Sequence, residues 1–241
     1  MNIVIPMAGF SELNGFQYPK NFYEIDRRPL FQHVFENLPH SDEINFIFIV
    51  KREEIERYYI DQSLRLLSPN CTIVELEGET SGAACTVLLA SKYIDNDHPL
   101  VIANGDQIIK ADLDEILCFF NKNGTDGGII TFDSVHPRWS YIRIDQEGYV
   151  SEAAEKRPIS RNATAGFYYF KKGSEYVSAA QQMIKKDAHI EGKYYVCPVY
   201  NEMILSQKKI VPYHIESTQY FSLTSEKGIA QYERTLRSEL D

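Results

Sequence analysis

Residues 99–106 read PLVIANGD, four apolar residues behind a proline that run into Asn104, Gly105 and a carboxylate, Asp106. A short apolar run between such breakers reads as a buried strand. Similar runs stand at 2–6 (NIVIP), 45–50 (NFIFIV) and 71–76 (CTIVEL). Between them lie helical patterns. LFQHVFENL has apolar residues at 30, 31, 34, 35 and 38, one helical face, with Pro29 suited to the first turn. KREEIERYYIDQSLRLL (51–67) reads as one amphipathic helix, SGAACTVLLASKYI (81–94) as a helix opening on small residues, and 111–121 as a further helix. Strands that alternate with helices imply right-handed βαβ units and a parallel sheet.

Beyond residue 121 the pattern changes. Residues 128–132, 141–144, 149–153 and 165–170 read as strands with turn residues between several of them. Helical periods follow at 174–186 and 198–206, a strand at 210–213 and a polar helix at 225–238. No stretch rich in Pro, Gly or Ser divides the chain, so one domain over 1–241 is expected. Its fold class is α/β, a Rossmann-like mixed but mostly parallel sheet with helices on both faces.

Composition narrows the function. A hydrophobic share of 44% over 241 residues supplies a full core. No run reaches the ~18 apolar residues of a spanning helix, and MNIVIPMAG lacks the basic start of a signal peptide. The four cysteines lie far apart with no CxxC pair, which fits reduced thiols in a cytoplasmic protein. A formal charge of −9 argues against a nucleic-acid surface but leaves room for a nucleotide pocket with locally supplied positive charge. The 16 tyrosines read as strand and core packing, and the six histidines show no HxH or HExxH spacing.

Four segments carry chemistry. The first is Met7-Ala8-Gly9 through Lys20, a loop leaving the carboxyl end of the first strand, where open α/β sheets bind ligands. Its glycine lets backbone amides approach a phosphate, and Lys20 adds a compact cation. A tight turn and an exposed lysine explain the same residues. The second is Gly105-Asp106, a carboxylate suited to magnesium together with substrate phosphates, or to a turn cap. The third is Glu79 to Ala84, whose small residues admit a flat base or simply pack a helix on the sheet. The fourth is Glu155-Lys156 with Gly166 ten residues later, able to hold an acceptor's hydroxyls and phosphate, or to be a surface ion pair.

In this order, MAG with a later PK, SGAACT, NGD, and EK followed by AGFYYF resemble the sugar-nucleotide pyrophosphorylases, and within them short members of capsule and surface-polysaccharide pathways. The neighbourhood includes CTP:phosphoglutamine cytidylyltransferases, whose acceptor is not a sugar. The resemblance implies the glycosyltransferase-A-like nucleotidyltransferase fold, with a nucleotide-binding half at about 1–125 and an acceptor-binding half at about 126–241. It implies that Ala8 and Gly9 contact the nucleotide, that Gly82 and Ala83 frame its base and ribose, and that Lys20 and Asp106 are catalytic, Asp106 holding Mg2+. Ser140, Glu155, Lys156 and Gly166 would serve the acceptor. The reaction implied is transfer of NMP from an NTP (CTP, dTTP or UTP) to a small phosphorylated acceptor, with release of pyrophosphate. The partners are these two small molecules, with no nucleic acid and no membrane; a homo-oligomer is compatible with the reading. A catalytically silent nucleotide-binding subunit of the same fold is the alternative.

The sequence departs from the family pattern at three places. Ser11 and Leu13 stand where the first loop usually has its second glycine and an arginine, and Ser140 where an acceptor-side glycine is usual. Tyr220 to Thr224 stand where a second metal-binding Asp is expected. Arg27, Arg28 and Lys51 are candidates to replace the arginine, and Glu202 and Glu216 to add a carboxylate.

Overall fold

The computed structural model describes residues 1–9, 18–122 and 124–238, so Ser11 and Leu13 lie outside the described residues. The first half comprises β1 (Asn2–Pro6), a 3-10 turn (Lys20–Phe22), the hairpin of β2 (Glu24–Ile25) and β3 (Arg28–Pro29), and α1 (Leu30–Glu36). Next come β4 (Asn45–Lys51), α2 (Arg52–Tyr58), α3 (Ile60–Leu67), β5 (Thr72–Leu76), α4 (Ala83–Leu88) and α5 (Ser91–Ile94). They are followed by β6 (Leu100–Ala103), β7 (Gln107–Ile109) and α6 (Leu113–Lys122). The second half adds β8 (Gly127–Asp133), β9 (Ser140–Ile144), β10 (Val150–Glu155), β11 (Asn162–Phe170), α7 (Gly173–Lys185) and α8 (Val199–Leu205). The last elements are β12 (Ile210–His214), a second 3-10 turn (Ser217–Gln219), β13 (Tyr220–Ser222) and α9 (Glu226–Ser238).

The four apolar runs that alternate with helices lie together as the parallel strands β5-β4-β1-β6. Antiparallel β11 continues the sheet beside β6 and pairs in turn with β8 and β9; β10 joins β9, and β12 joins β8 in parallel. The outcome is the mixed, mostly parallel sheet expected, with helices on both faces. Ile3, Phe48 and Val101 point to one face, where Phe35, Leu64 and Phe120 of α1, α3 and α6 meet them. Val4, Ile49 and Ile102 point to the other, against Val87, Tyr176 and Met203 of α4, α7 and α8. Burial on both faces is why these strands read as continuous apolar runs instead of alternating ones. Each such side chain contributes roughly 1.5–3 kcal/mol when fully buried. The tyrosines follow the packing reading: Tyr141, Tyr169, Tyr176 and Tyr200 are among the largest fully buried side chains.

Two helices differ from expectation. The 51–67 helix breaks into α2 and α3 at Tyr59, whose backbone is left-handed (φ 53°). The 81–94 helix breaks between α4 and α5, where Ala90 sits at φ −87°, ψ 6°. The short pairs β2–β3 and β7–β13 have no sequence period to betray them, being two or three residues long. The second pair matters most. It sets Ser222 opposite Gln107, and α9 packs Ile229 and Tyr232 with Ile108 and Phe221 behind it. The C-terminal segment thereby lies beside Asp106, whose carbonyl accepts the Leu223 N–H at 2.8 Å.

Helix α8 is tied to the sheet by Tyr200, which stacks on Phe170 at 4.7 Å between ring centroids. Its hydroxyl lies 2.8 Å from the Tyr169 carbonyl oxygen and 3.0 Å from that of Gly128. Tyr200→Phe keeps the packing and deprives buried carbonyls of a donor, a loss of ~1–2 kcal/mol. Thermal denaturation should show the midpoint fall by ~2–8 °C; an unchanged midpoint would contradict the assigned hydrogen bonds.

Candidate active site

The carboxyl ends of the four parallel strands open onto one cavity of about 400 Å³. Met7, Ala8 and Gly9 enter it after β1, Lys51 at the end of β4, Glu79 and Thr80 after β5, and Asn104, Gly105 and Asp106 after β6. A parallel strand presents its outgoing loop at this edge, which is why open α/β sheets bind ligands there. Lys20 reaches the same place from the 3-10 turn, which closes when the Phe22 N–H donates to the Pro19 carbonyl at 2.9 Å. Lys20 Nζ lies 2.5 Å from Asp106 Oδ2, with the two side chains 10% and 25% exposed. Most of their water is gone, so a further anion or cation in the cavity meets weakly screened charge.

Gly82 and Ala83 form another wall. Gly82 has φ 112°, and a Cβ there would strike the Tyr194 backbone. The contact is held by two hydrogen bonds, Tyr194 N–H to Ser81 O at 2.7 Å and Ala84 N–H to Tyr194 O at 3.0 Å. The Thr80 and Thr86 hydroxyls meet at 2.6 Å over the same turn. Segment 193–197, which also lines the cavity, is thus fastened to the loop expected to frame the nucleotide.

Opposite stand Ser140, Glu155 and Tyr168. The Ser140 hydroxyl donates to Glu155. Burial pushes the Glu155 carboxyl above its ordinary range, while that hydrogen bond and the Lys156 ammonium draw it back. Behind it, the Tyr168 and Thr164 hydroxyls meet at 3.0 Å. The buried Cys197 thiol is pushed well up, first by desolvation and then by the Glu155 charge.

Among the expected acceptor residues, two do not line the cavity. Lys156 is at its edge, 44% exposed, with Nζ 3.6 Å from Glu191 Oε2 and 5.4 Å from the centre of the Tyr195 ring. Gly166 lies beneath. Its φ of 61° falls in the β11–β8 register break between Thr164 and Tyr168, and its carbonyl accepts from Asn104 N–H at 3.0 Å and Gln107 Nε2 at 2.9 Å. A side chain there would collide with Asn104 and Gln107, the residues flanking Gly105-Asp106. Gly166 therefore supports the Asp106 loop.

Of the candidate arginine replacements, Lys51 lines the cavity; Arg28 is spent on Glu36 at 2.6 Å outside it, and Arg27 is not among the lining residues. Glu202 pairs with Lys186 at 2.6 Å, and Glu216 caps the second 3-10 turn, so neither carboxylate is at Asp106. The Tyr220–Thr224 stretch lies beside Asp106 and brings the Ser222 and Thr224 hydroxyls, 2.8 Å apart, and no acid. Sequence reading missed Asn104 and Gln107, although they flank Gly105-Asp106. It also missed Asn21 and Glu54; Asn21 follows Lys20 directly, whereas Glu54 is hidden in the charged KREEIER segment.

A family model described as nucleotidyl transferase matches residues 13–209. The chain belongs to that family. The solved nucleoside-diphosphate-sugar pyrophosphorylase of Vibrio cholerae RC9 superposes with a TM-score of 0.81 at 25% identity, over 96% of this chain and 99% of that one. The inositol-1-phosphate CTP transferase of T. maritima shares the fold, with a TM-score of 0.74 at 10% identity over 97% of this chain and 94% of that one. The bifunctional protein GlmU of Thermodesulfovibrio yellowstonii is 24% identical over 215 residues, 83% of this chain; the chain spans 44% of that relative's length.

Two outcomes check this geometry. Between its ordinary value of 4.5 and its raised one, Glu155 binds more proton in the folded than in the unfolded state, so its contribution to stability falls as pH rises through that window. Glu155→Gln removes the cost. Its melting midpoint should exceed the parent's at pH 7.5, with the gap closing toward pH 4; a lower midpoint at pH 7.5 would refute the burial assignment. Gly82→Ala should lower the midpoint by ~2–4 °C or more for each kcal/mol of strain, and a crystal structure showing an undisturbed Tyr194 would count against the contact.

Proposed function

We propose that the chain is a nucleotidyltransferase that moves NMP from an NTP onto a small phosphorylated acceptor and releases pyrophosphate. The observation that carries this reading is the Lys20–Asp106 pair in a cavity bounded by the 8–9 and 82–83 loops on one side and by Ser140 and Glu155 on the other. The halves follow: about 1–125 for the nucleotide and about 126–241 for the acceptor, within one domain.

An acceptor phosphate oxygen, anionic at neutral pH, attacks the α-phosphorus in line; its new P–O bond forms as the bond from the α-phosphorus to the pyrophosphate oxygen breaks. No proton transfer by the protein is required. Ala8 and Gly9 offer backbone to the nucleotide, and Gly82 and Ala83 offer a flat wall to its base and ribose. Lys20 neutralises the departing pyrophosphate, with Lys51 as a second cation in the cavity. Glu155, oriented by Ser140, takes the acceptor's hydroxyls, and Lys156 at the rim takes its phosphate. Rate enhancement comes from alignment and from fixed charge.

Among the described residues no group of three His, Cys, Asp or Glu side chains surrounds a metal position. Magnesium does not need one, since it is commonly held by one or two carboxylates with substrate phosphates and water. Asp106, a carboxylate on the cavity wall, fits that requirement and would hold it. When bound, the ion supplies Lewis-acid charge at the α-phosphate. The resemblance read from the sequence supports a setting in surface-polysaccharide precursor synthesis, with CTP, dTTP or UTP as donor and a sugar 1-phosphate or a phosphorylated amino acid as acceptor. Among the described residues no helix is long and apolar enough to cross a membrane.

Pyrophosphate release, measured for four NTPs against a panel of phosphorylated acceptors with magnesium, should single out one pair. Asp106→Asn and Lys20→Gln should each lower kcat by ~10²–10³-fold while circular dichroism stays unchanged. Nucleotide binding without release for any pair would favour a silent subunit, and near-normal turnover by Asp106→Asn would remove the metal assignment.

A further inference from the structure

Glu54 is a carboxylate where packing would favour an apolar residue. It lies on α2, 8% exposed, and burial is the largest influence on its carboxyl, pushing it above the ordinary range. Desolvating a carboxylate destabilises the fold unless a partner compensates. The partner is Asn21, itself 3% exposed, whose Nδ2 donates to Glu54 Oε2 at 2.8 Å. The same nitrogen donates to the Met7 carbonyl at 3.2 Å. An amide nitrogen has two protons, and each has one acceptor here. Asn21 thus joins the loop after β1, the 3-10 turn and α2. It is also the residue directly after Lys20, within that turn.

We infer that Glu54 is a positioning residue for the transfer reaction: through Asn21 it holds the Lys20 turn against the Met7–Gly9 loop, so that Lys20 Nζ stands at Asp106. Without the carboxylate, one Asn21 proton is left buried and unmatched, and the tie between the Lys20 turn and α2 is lost. The Lys20 and Lys51 ammonium groups both draw the Glu54 carboxyl back down. The link to catalysis rests on the proposed role of Lys20 against pyrophosphate; the link to Lys20 geometry does not.

The test uses the full chain as Glu54→Leu, Glu54→Gln and Asn21→Ala, with two measurements. The first is the acylation rate of Lys20 by a water-soluble ester, followed by mass spectrometry, with exposed Lys186 as internal reference. Glu54→Leu and Asn21→Ala should raise Lys20 labelling at least fivefold while Lys186 stays within twofold. Glu54→Gln, whose side-chain carbonyl still accepts from Asn21, should restore most of the protection. A carboxylate that merely stabilises the fold would shift the melting midpoint without singling out Lys20. The second is pyrophosphate release: Glu54→Leu should lower kcat/KM for the NTP at least tenfold with the acceptor KM within twofold. Lys20 labelling unchanged in both Glu54→Leu and Asn21→Ala overturns the inference. If Glu54→Leu does not fold, Asn21→Ala, which breaks the same link and leaves the helix intact, decides by the same labelling criterion. A parent protein that releases no pyrophosphate with any substrate pair defeats the proposed function, and the labelling ratios still decide the role of Glu54.

Discussion

The Lys20–Asp106 ion pair joins two segments 86 residues apart in sequence at 2.5 Å. Much of the fold serves to bring them there. Asp106 needs β6 to lie beside β1 in parallel, so that both strands end at the same edge. Lys20 needs the turn after Pro19 to double back over that edge. Each charge offsets part of the desolvation of the other, and together they form a polar floor to the cavity. The pair is thus both a constraint on the loops and the centre of the candidate site.

The rest of the site hangs from that floor by backbone contacts. The carbonyl of Gly166, freed by a left-handed kink in β11, takes one hydrogen bond from the Asn104 backbone and one from the Gln107 side chain. On the far wall, Gly82 has no side chain so that Tyr194 can lie against it. The second half of the chain therefore reaches the loops of the first twice, from β11 beneath Asp106 and from the α7–α8 connection beside Gly82.

The family pattern is altered at Tyr220–Thr224, and the structure gives the alteration a physical meaning. Strand β13 still pairs with β7 and still delivers its residues beside Asp106, but they are hydroxyls bonded to one another. Where the resemblance led one to expect a second acid, this stretch brings two hydroxyls. With Lys51 on the cavity wall and the neighbouring Arg28 committed to Glu36, the positive charge at this site comes from lysines among the described residues. Lysine acts as a point charge, without the planar fork by which arginine fixes a phosphate's orientation.

Sequence by itself determined the layered α/β architecture, because strands buried on both faces must be apolar throughout and the helices between them must carry a single apolar face. It also singled out Gly9, Lys20, Gly82, Asp106 and Glu155 as candidates, since each follows or closes a recognisable run, and all five line one cavity. Only the tertiary structure decided what those residues do to one another. Gly166 was legible as a glycine beside a strand, yet its role as the acceptor for Asn104 and Gln107 depends on a register break that no local pattern encodes. Lys156 was legible as a cation, but its place at the rim follows from how β10 ends. Glu54 was invisible, one acid in a charged helix, because burial is a property of what packs against a residue. The ion pair of Lys20 and Asp106 belongs to the same class: two charges written far apart become one site only when β1 and β6 end side by side.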